Sequence, residues 1–296
     1  MGQSIDNALK IQFGDMVHIK AQQIKARMKP YVQILKMSGD KFAYDGLGDV
    51  EATEVKGRIQ PVVFQDIEHL RRKITRRRFA ITLPIDESDI RGSLLDPKGL
   101  YAKAIVAGLE RRFDRLVVEA MFADVWTGRD FETKLTATQD GVKQVDATSG
   151  LTYEKLLEVQ QNWIDADVGT DMPVKKVMGI TGEEHTALMN ETKLIDGDYS
   201  RQYVVDKGEI QNAVGLDIVK FAGGARNPII KVGTDNVRHC FATTTEGIAV
   251  GVSVVKLDIK ERNDYYETTQ VQAILEMGAV RTEGVQVQKI LTTKAA

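Results

Sequence analysis

At 296 residues, with 43% hydrophobic and 28% charged side chains, the chain has ordinary globular composition and enough length for one or two domains with a sizeable core. Its 40 basic and 42 acidic residues leave a net charge of −2, so no overall field draws it to nucleic acid or an acidic membrane. A single cysteine, Cys240, excludes an intramolecular disulfide framework and fits a reducing compartment. The opening MGQSIDNALK has no basic segment leading into an apolar run, and nowhere do about 18 apolar residues occur together. A soluble chain with neither signal peptide nor membrane span is expected.

Residues 1–30 place Ile5, Leu9, Phe13, Met16, Ile19, Ile24 and Met28 at helix-compatible intervals among polar residues. That spacing predicts an amphipathic arm, docked on its own domain or on a neighbouring subunit, and ended by Pro30. From 31 to 85 the pattern turns extended and glycine-punctuated, predicting a long two-stranded excursion. Its outgoing half carries Asp40, Asp45, Asp49, Glu51 and Glu54. Its returning half carries Arg71, Arg72, Lys73, Arg76, Arg77 and Arg78 around only two apolar residues, Leu70 and Ile74. Opposite charges facing each other across the strands would support the pair, but two strands alone are marginal in water, and a partner subunit is the expected support. Nucleic-acid binding is the competing reading of the basic run. It is weakened because Phe79 is the only nearby aromatic and the acidic half lies in the same excursion.

The longest helical pattern covers 96–127, opened by Asp96 as N-cap and Pro97 at the first helical position. Ile105, Leu109, Phe113, Leu116, Ala120 and Met121 recur every three or four residues along one face, with Lys103, Glu110, Arg112, Asp114 and Arg115 largely elsewhere. A helix of that length, roughly 45 Å, reads as a spine for a sheet. Residues 128–150 read as an exposed loop or small hairpin. Thr152 then caps a helix with Tyr153, Leu156, Leu157, Gln160, Trp163 and Ile164 on and around one face. A strand follows over 174–181, and Thr181 and Glu184 have capping-box spacing for a helix through His185, Leu188 and Met189. Further strands are expected over 216–221 and 238–243. Near the C-terminus Val255, Leu257 and Ile259 alternate with polar residues, as do Val271, Ala273, Leu275 and Met277, and Val285, Val287 and Leu291 continue the pattern after a turn at Thr282. These strands are expected to pack on the spine helix, with the unit after Thr152 inserted between.

Catalytic signals are missing. No phosphate loop occurs, and Gly46-Leu-Gly-Asp-Val-Glu51 fails the dinucleotide fingerprint at its third glycine. His18, His69, His185 and His239 stand singly, outside any metal-binding spacing. Glu183, Glu184 and His185 are better explained as a helix start, Asp86, Glu87 and Asp89 as a solvated turn, and Cys240 as core. The expectation is a non-enzyme without cofactor or metal.

The order of segments resembles the major capsid proteins of tailed bacteriophages with the Hong Kong 97 type shell fold. The resemblance is carried by RRRFAITLPIDESDI, LLDPKGLYAKAIVAGLERRFDRLVVEAMF, GLTYEKLLEVQQNWIDADV, GEEHTALM, GEIQNAVGLDIVKF and GAVRTEGVQVQKI, in that succession over nearly the whole chain. It implies an α+β fold: an N-terminal arm over 1–30, an extended hairpin loop over 31–85, a peripheral domain over 86–144 and 251–296, and an α/β axial domain over 145–250. It further implies pentamers and hexamers in an icosahedral head around double-stranded DNA, bound without sequence specificity and without a membrane. A portal protein, a decoration protein and a scaffolding protein are the implied partners. The scaffolding protein is expected as a separate chain because no long N-terminal extension precedes the arm. Virion location follows, with host cytoplasm during assembly. Some relatives crosslink a lysine to an asparagine, but no local motif assigns such a pair. An encapsulin-type compartment shell, another virion component of the tail or portal, and a DNA-binding protein are the alternatives. Asp49, Glu51, Glu54 and the basic residues Arg71, Arg72, Lys73, Arg76, Arg77 and Arg78 are the expected inter-subunit contacts, the arginines also pairing with the hairpin's own acidic strand, and reversing Arg76 and Arg78 to Glu is expected to impair assembly while leaving the soluble subunit folded.

Overall fold

The computed structural model describes residues 23–48, 50–54, 62, 64–67, 69–85, 97–148, 150–170, 174–191, 205–206, 209–223, 228–233, 237–262 and 268–293. The arm over 1–22, the Asp96 cap, the Asp86 to Asp89 turn and Asp49 lie outside them. Residues 23–28 are not helical as expected, and Pro30 sits inside a short 3-10 turn, Lys29–Tyr31. The reason lies in the spine helix. Its Glu110 carboxylate accepts the backbone N–H of Ala26 at 2.9 Å, and Asp114 accepts those of Arg27 and Met28 at 2.9 and 3.0 Å, so these donors are taken from any local helix.

The strands that follow are β1 (Gln33–Lys36), β2 (Lys41–Leu47), β3 (His69–Thr75) and β4 (Arg77–Ile85), and the spine helix α1 spans Pro97–Phe122. Its 26 residues make it about 39 Å long. It stops short of the expected 127 because Val125–Thr127, β-branched and aromatic, forms strand β5 and pairs with β6 (Thr133–Leu135). All six apolar residues of the expected stripe are buried. Asp114 departs from expectation, being fully buried. Burial pushes its carboxyl up from the ordinary value, opposed by the N–H groups it accepts.

Two long antiparallel strands, β14 (Ile248–Arg262) and β15 (Thr268–Arg281), form the centre of a sheet ordered β1-β14-β15-β4. Residues 33–36 and 77–85, expected in the excursion, are therefore body strands, and the excursion proper is β2 and β3. Val271, Ala273, Leu275 and Met277 share one buried cluster with Ile105, Leu109, Phe113 and Leu116 of α1, which is the expected packing of spine on sheet. The helix lies mainly over β15 and β4, so Leu257 and Ile259 on β14 alternate as expected yet stay half exposed.

The second layer contains β7 (Lys143–Ala147), α2 (Tyr153–Asp165), β8 (Lys176–Thr181), α3 (Gly182–Met189), a ribbon of β9 (Val205–Asp206) and β10 (Glu209–Ile210), β11 (Asn212–Ala213), β12 (Leu216–Phe221), β13 (Arg238–Thr244) and β16 (Val287–Thr292). Six of these strands form a sheet ordered β11-β12-β8-β13-β16-β7. Two expectations change here. The 128–150 stretch supplies β6 and β7, and β16 does not extend the C-terminal sheet but lies between β13 and β7. Side-chain chemistry explains the second: Gln288 donates to the Val159 carbonyl of α2 at 2.9 Å and accepts from Asn162 at 3.1 Å, while Val287 and Ile290 enter the core beside Trp163.

The capping box is present, with Glu184 accepting the Thr181 N–H at 3.0 Å. Thr152 holds the N-cap position of α2 without a side-chain capping bond. Glu184 also accepts from Thr292 at 2.8 Å and Arg238 at 3.1 Å. Burial would raise its carboxyl, but the hydrogen bonds from Thr181 and Thr292 outweigh it and hold the group below its ordinary value. Burial pushes the Cys240 thiol up to about 12, which fits a core residue and not a nucleophile.

Candidate functional site

The hairpin β2–β3 pairs in register from Lys41 opposite Thr75 to Leu47 opposite His69. Cross-strand charge pairing is realised where Asp45 opposes Arg71, with Arg71 Nε donating at 2.7 Å. Arg76 pairs with Asp40 and, at 3.1 Å, with Glu276 of β15, whose carboxylate Arg78 also approaches at 3.7 Å. Lys73 lies 5.9 Å from the centre of the Trp126 ring, within cation–π range. Arg77 is exposed and has no anionic partner among the described residues. Glu51 and Glu54 are exposed beyond the strands.

Arg72 is different from its neighbours, being 4% exposed. Its two terminal nitrogens clasp Asp140 at 2.7 Å each, and Nη1 also donates to the Arg281 carbonyl at 3.2 Å. Arg281, fully buried at the end of β15, donates from Nε to Asp140 at 2.6 Å. Its Nη1 reaches the carbonyls of Met121 and Ala123 at 2.6 and 3.1 Å, at the negative end of the α1 dipole. Hairpin, spine helix, C-terminal strand and the 140 loop therefore meet at one carboxylate between two guanidiniums. Within this chain Arg72 is engaged by Asp140 and the Arg281 carbonyl, partners outside the acidic strand that the sequence had set against the basic run. Asp140 and Arg281 were not among the sequence candidates. Arg281 carries a faint signal, a charge directly after Ala279 and Val280, whereas Asp140 sits in an ordinary polar stretch.

The hairpin base also rests on its own chain, where a partner subunit was expected. Ile74 is buried with Met37, Val125, Ala249 and Val280, and β5 and β6 extend the pair to a four-stranded sheet. A Cβ at Gly278 would lie 2.4 Å from the Thr75 carbonyl oxygen, so only glycine lets the base sit so close to β15. Among the described residues of the connection between β2 and β3, large apolar side chains face solvent. Phe64 is 90% and Val62 77% exposed.

The location of Arg76 and Arg78 changes what their reversal would do. Glu at both positions would face Asp40 and Glu276 within one subunit and should lower the urea midpoint as well as particle yield. Arg77→Glu should leave the unfolding free energy unchanged within about 0.5 kcal/mol and lower yield alone. Urea unfolding of the soluble subunit, read beside particle yield, distinguishes the two; an unstable Arg77→Glu subunit would contradict this assignment.

Among the described residues no helix is long and apolar enough to cross a membrane, and no group of His, Cys, Asp and Glu could hold a metal ion. No curated protein matches the sequence. The chain resembles in fold the capsid of cyanophage P-SCSP1u, at 13% identity over 99% of this chain and 96% of that one, with a TM-score of 0.71. Similar likenesses hold to the head of Helicobacter pylori bacteriophage KHP40, at 9% identity over 96% of each chain and a TM-score of 0.73, and to the cyanophage Pam1 capsid, at 11% identity over 97% of each and 0.71. These likenesses bear out the expected α+β shell fold. A family model, described as phage capsid protein, matches residues 5–294, and on that match the chain belongs to the phage capsid protein family.

Proposed function

We propose that this capsid subunit is the major shell protein of a tailed phage head, polymerising through pentamers and hexamers into an icosahedral shell around double-stranded DNA. The observation that carries the reading is the hairpin: a base locked into its own subunit by buried charge, and a tip whose large apolar side chains lie in water. Isolated exposed apolar residues are ordinary, but Val62, Phe64 and Ile67 exposed within six residues mark a surface that another chain covers. In this reading the six-stranded unit takes the axial place around five- and six-fold axes, and the spine helix with its sheet takes the peripheral place. A separate scaffolding protein directs assembly in the host cytoplasm, a portal protein fills one vertex, and a decoration protein can bind the outer face.

Electron microscopy of protein from infected or co-expressing cells, with nucleic-acid absorbance on the same fraction, tests this. Icosahedral shells, or rings of five and six, with DNA are expected. A small monodisperse species with the scaffolding protein present would overturn the reading, and shells that hold protein cargo in place of DNA would turn it to a compartment.

A further inference from the structure

Strand β14 is paired on both sides only over its first residues. On one side β15 follows it throughout, Ile248–Arg262 against Thr268–Arg281. On the other, β1 pairs with Ala249 to Val252 and then leaves, the Met37 N–H donating to the Val252 carbonyl at 3.0 Å. A bulge between Val252 and Val254 marks the place. From Ser253 to Arg262 no strand among the described residues takes this outer edge, which leaves about 33 Å of β14 with backbone donors and acceptors facing outward.

The side chains along that edge are self-complementary. Leu257 and Ile259, each 49% exposed, lie on the face that α1 covers mainly over β15 and β4. On the other face Asp258 sits between Lys256 at 3.3 Å and Lys260 at 3.0 Å. No proline guards the segment, and its lysines, which discourage indiscriminate edge pairing, permit one full-length register with a second copy. Leu257 is the midpoint of Val252 to Arg262, so antiparallel pairing about Leu257 uses the whole free edge. Lys256 then stands opposite Asp258 of the second copy, and Asp258 opposite its Lys256. Pairing about Lys256 or about Asp258 sets like charges against each other, and pairing about Ile259 sets Lys256 against Arg262 and shortens the ladder.

We propose that two copies of this chain join edge to edge through β14, antiparallel about Leu257, so that the β1-β14-β15-β4 sheets of two subunits become one continuous sheet across a two-fold axis. The proposal rests on the capsid reading above. Rings of five or six repeat one head-to-tail contact and need a second contact to bind ring to ring; an isologous edge supplies it. Main-chain hydrogen bonds hold such a pair together, and the facing charges fix its register.

Cysteine crosslinking in assembled shells tests it, with little background because Cys240, the single cysteine of the chain, is buried. Shells of Leu257→Cys subunits are treated with an oxidant and, in parallel, with a short bismaleimide, which tolerates a wider separation than a disulfide. Covalent dimers on a denaturing gel are expected, because directly opposed residues lie about 5 Å apart. Ile259→Cys should give about tenfold less dimer, its two copies being displaced by four residues, about 13 Å. Well-formed Leu257→Cys shells without dimer, or a stronger signal from Ile259→Cys, overturn the contact and leave the capsid reading intact. Wild-type chains that form no shells with the scaffolding protein present overturn both. A charge exchange tests the same register without cysteine. Asp258→Lys should lower particle yield about tenfold, and Lys256→Asp combined with Asp258→Lys should restore it, with the soluble subunit folded in each case. Wild-type yield from Asp258→Lys, or no restoration in the double variant, counts against the contact.

Discussion

Asp140→Ala is expected to destabilise the folded subunit by about 3–5 kcal/mol, the range for removing one partner from a buried ion pair. Asp140 and Arg72 are 4% and 5% exposed in their side chains and Arg281 is fully buried, so alanine would leave two guanidiniums in the core without a counter-charge. The loss would add to an existing deficit, since Arg72 Nε and Arg281 Nη2 already lack hydrogen-bond partners among the described residues. Burial pushes the Arg281 guanidinium down from its ordinary value, and Asp140 is the group that opposes this. The turn after β15 packs directly on the 140 loop, where a Cβ at Gly284 would lie 1.9 Å from the Asp140 carbonyl oxygen. Urea unfolding of the soluble subunit measures the effect, which should persist at high salt because buried charges are little screened. A loss below about 1 kcal/mol would show that water reaches the cluster.

Trp163→Ala should cost a similar amount, about 3–5 kcal/mol, by a different mechanism. Trp163 is fully buried where α2 meets the six-stranded sheet, and its removal leaves a cavity against β16 and β8. The Lys176 ammonium lies 5.4 Å from the ring centre and loses that contact as well. Trp163→Phe should cost less, about 1–2 kcal/mol, since it keeps a ring and removes an indole N–H that has no partner among the described residues. The melting temperature reports both, with a larger fall for alanine. Equal falls would mean that the indole N–H, and not the volume, governs the site.

The two sites differ in how far the sequence foretold them. Trp163 is legible because it falls on an amphipathic helix period that begins after Thr152, and its burial follows from that period alone. The Asp140 cluster is not legible. Its three members come from positions 72, 140 and 281, and no local pattern links residues so far apart. The same holds for Asp114, which looks like a solvent-facing charge by its type and is instead the acceptor for backbone donors of the N-terminal segment. The basic run was visible as a cluster, but the individual fates of Arg71, Arg72 and Arg76 depended on which acidic group each met.

By itself the sequence determined the elements whose causes are local: the spine helix with its stripe, the helix at Tyr153, the capping box at Thr181, and the alternation of β14 and β15. Short-range periodicity and capping chemistry are written in adjacent residues, and so was the succession of segments that resembles a capsid subunit. Only the tertiary structure decided that β16 leaves the C-terminal sheet for the six-stranded one and that residues 125–127 become a strand. It also decided that Arg72 turns inward to anchor the hairpin while the tip stays in water. Those outcomes depend on strand partners and buried counter-charges contributed from distant positions, and a pairing energy between distant residues has no signature in either one's neighbourhood.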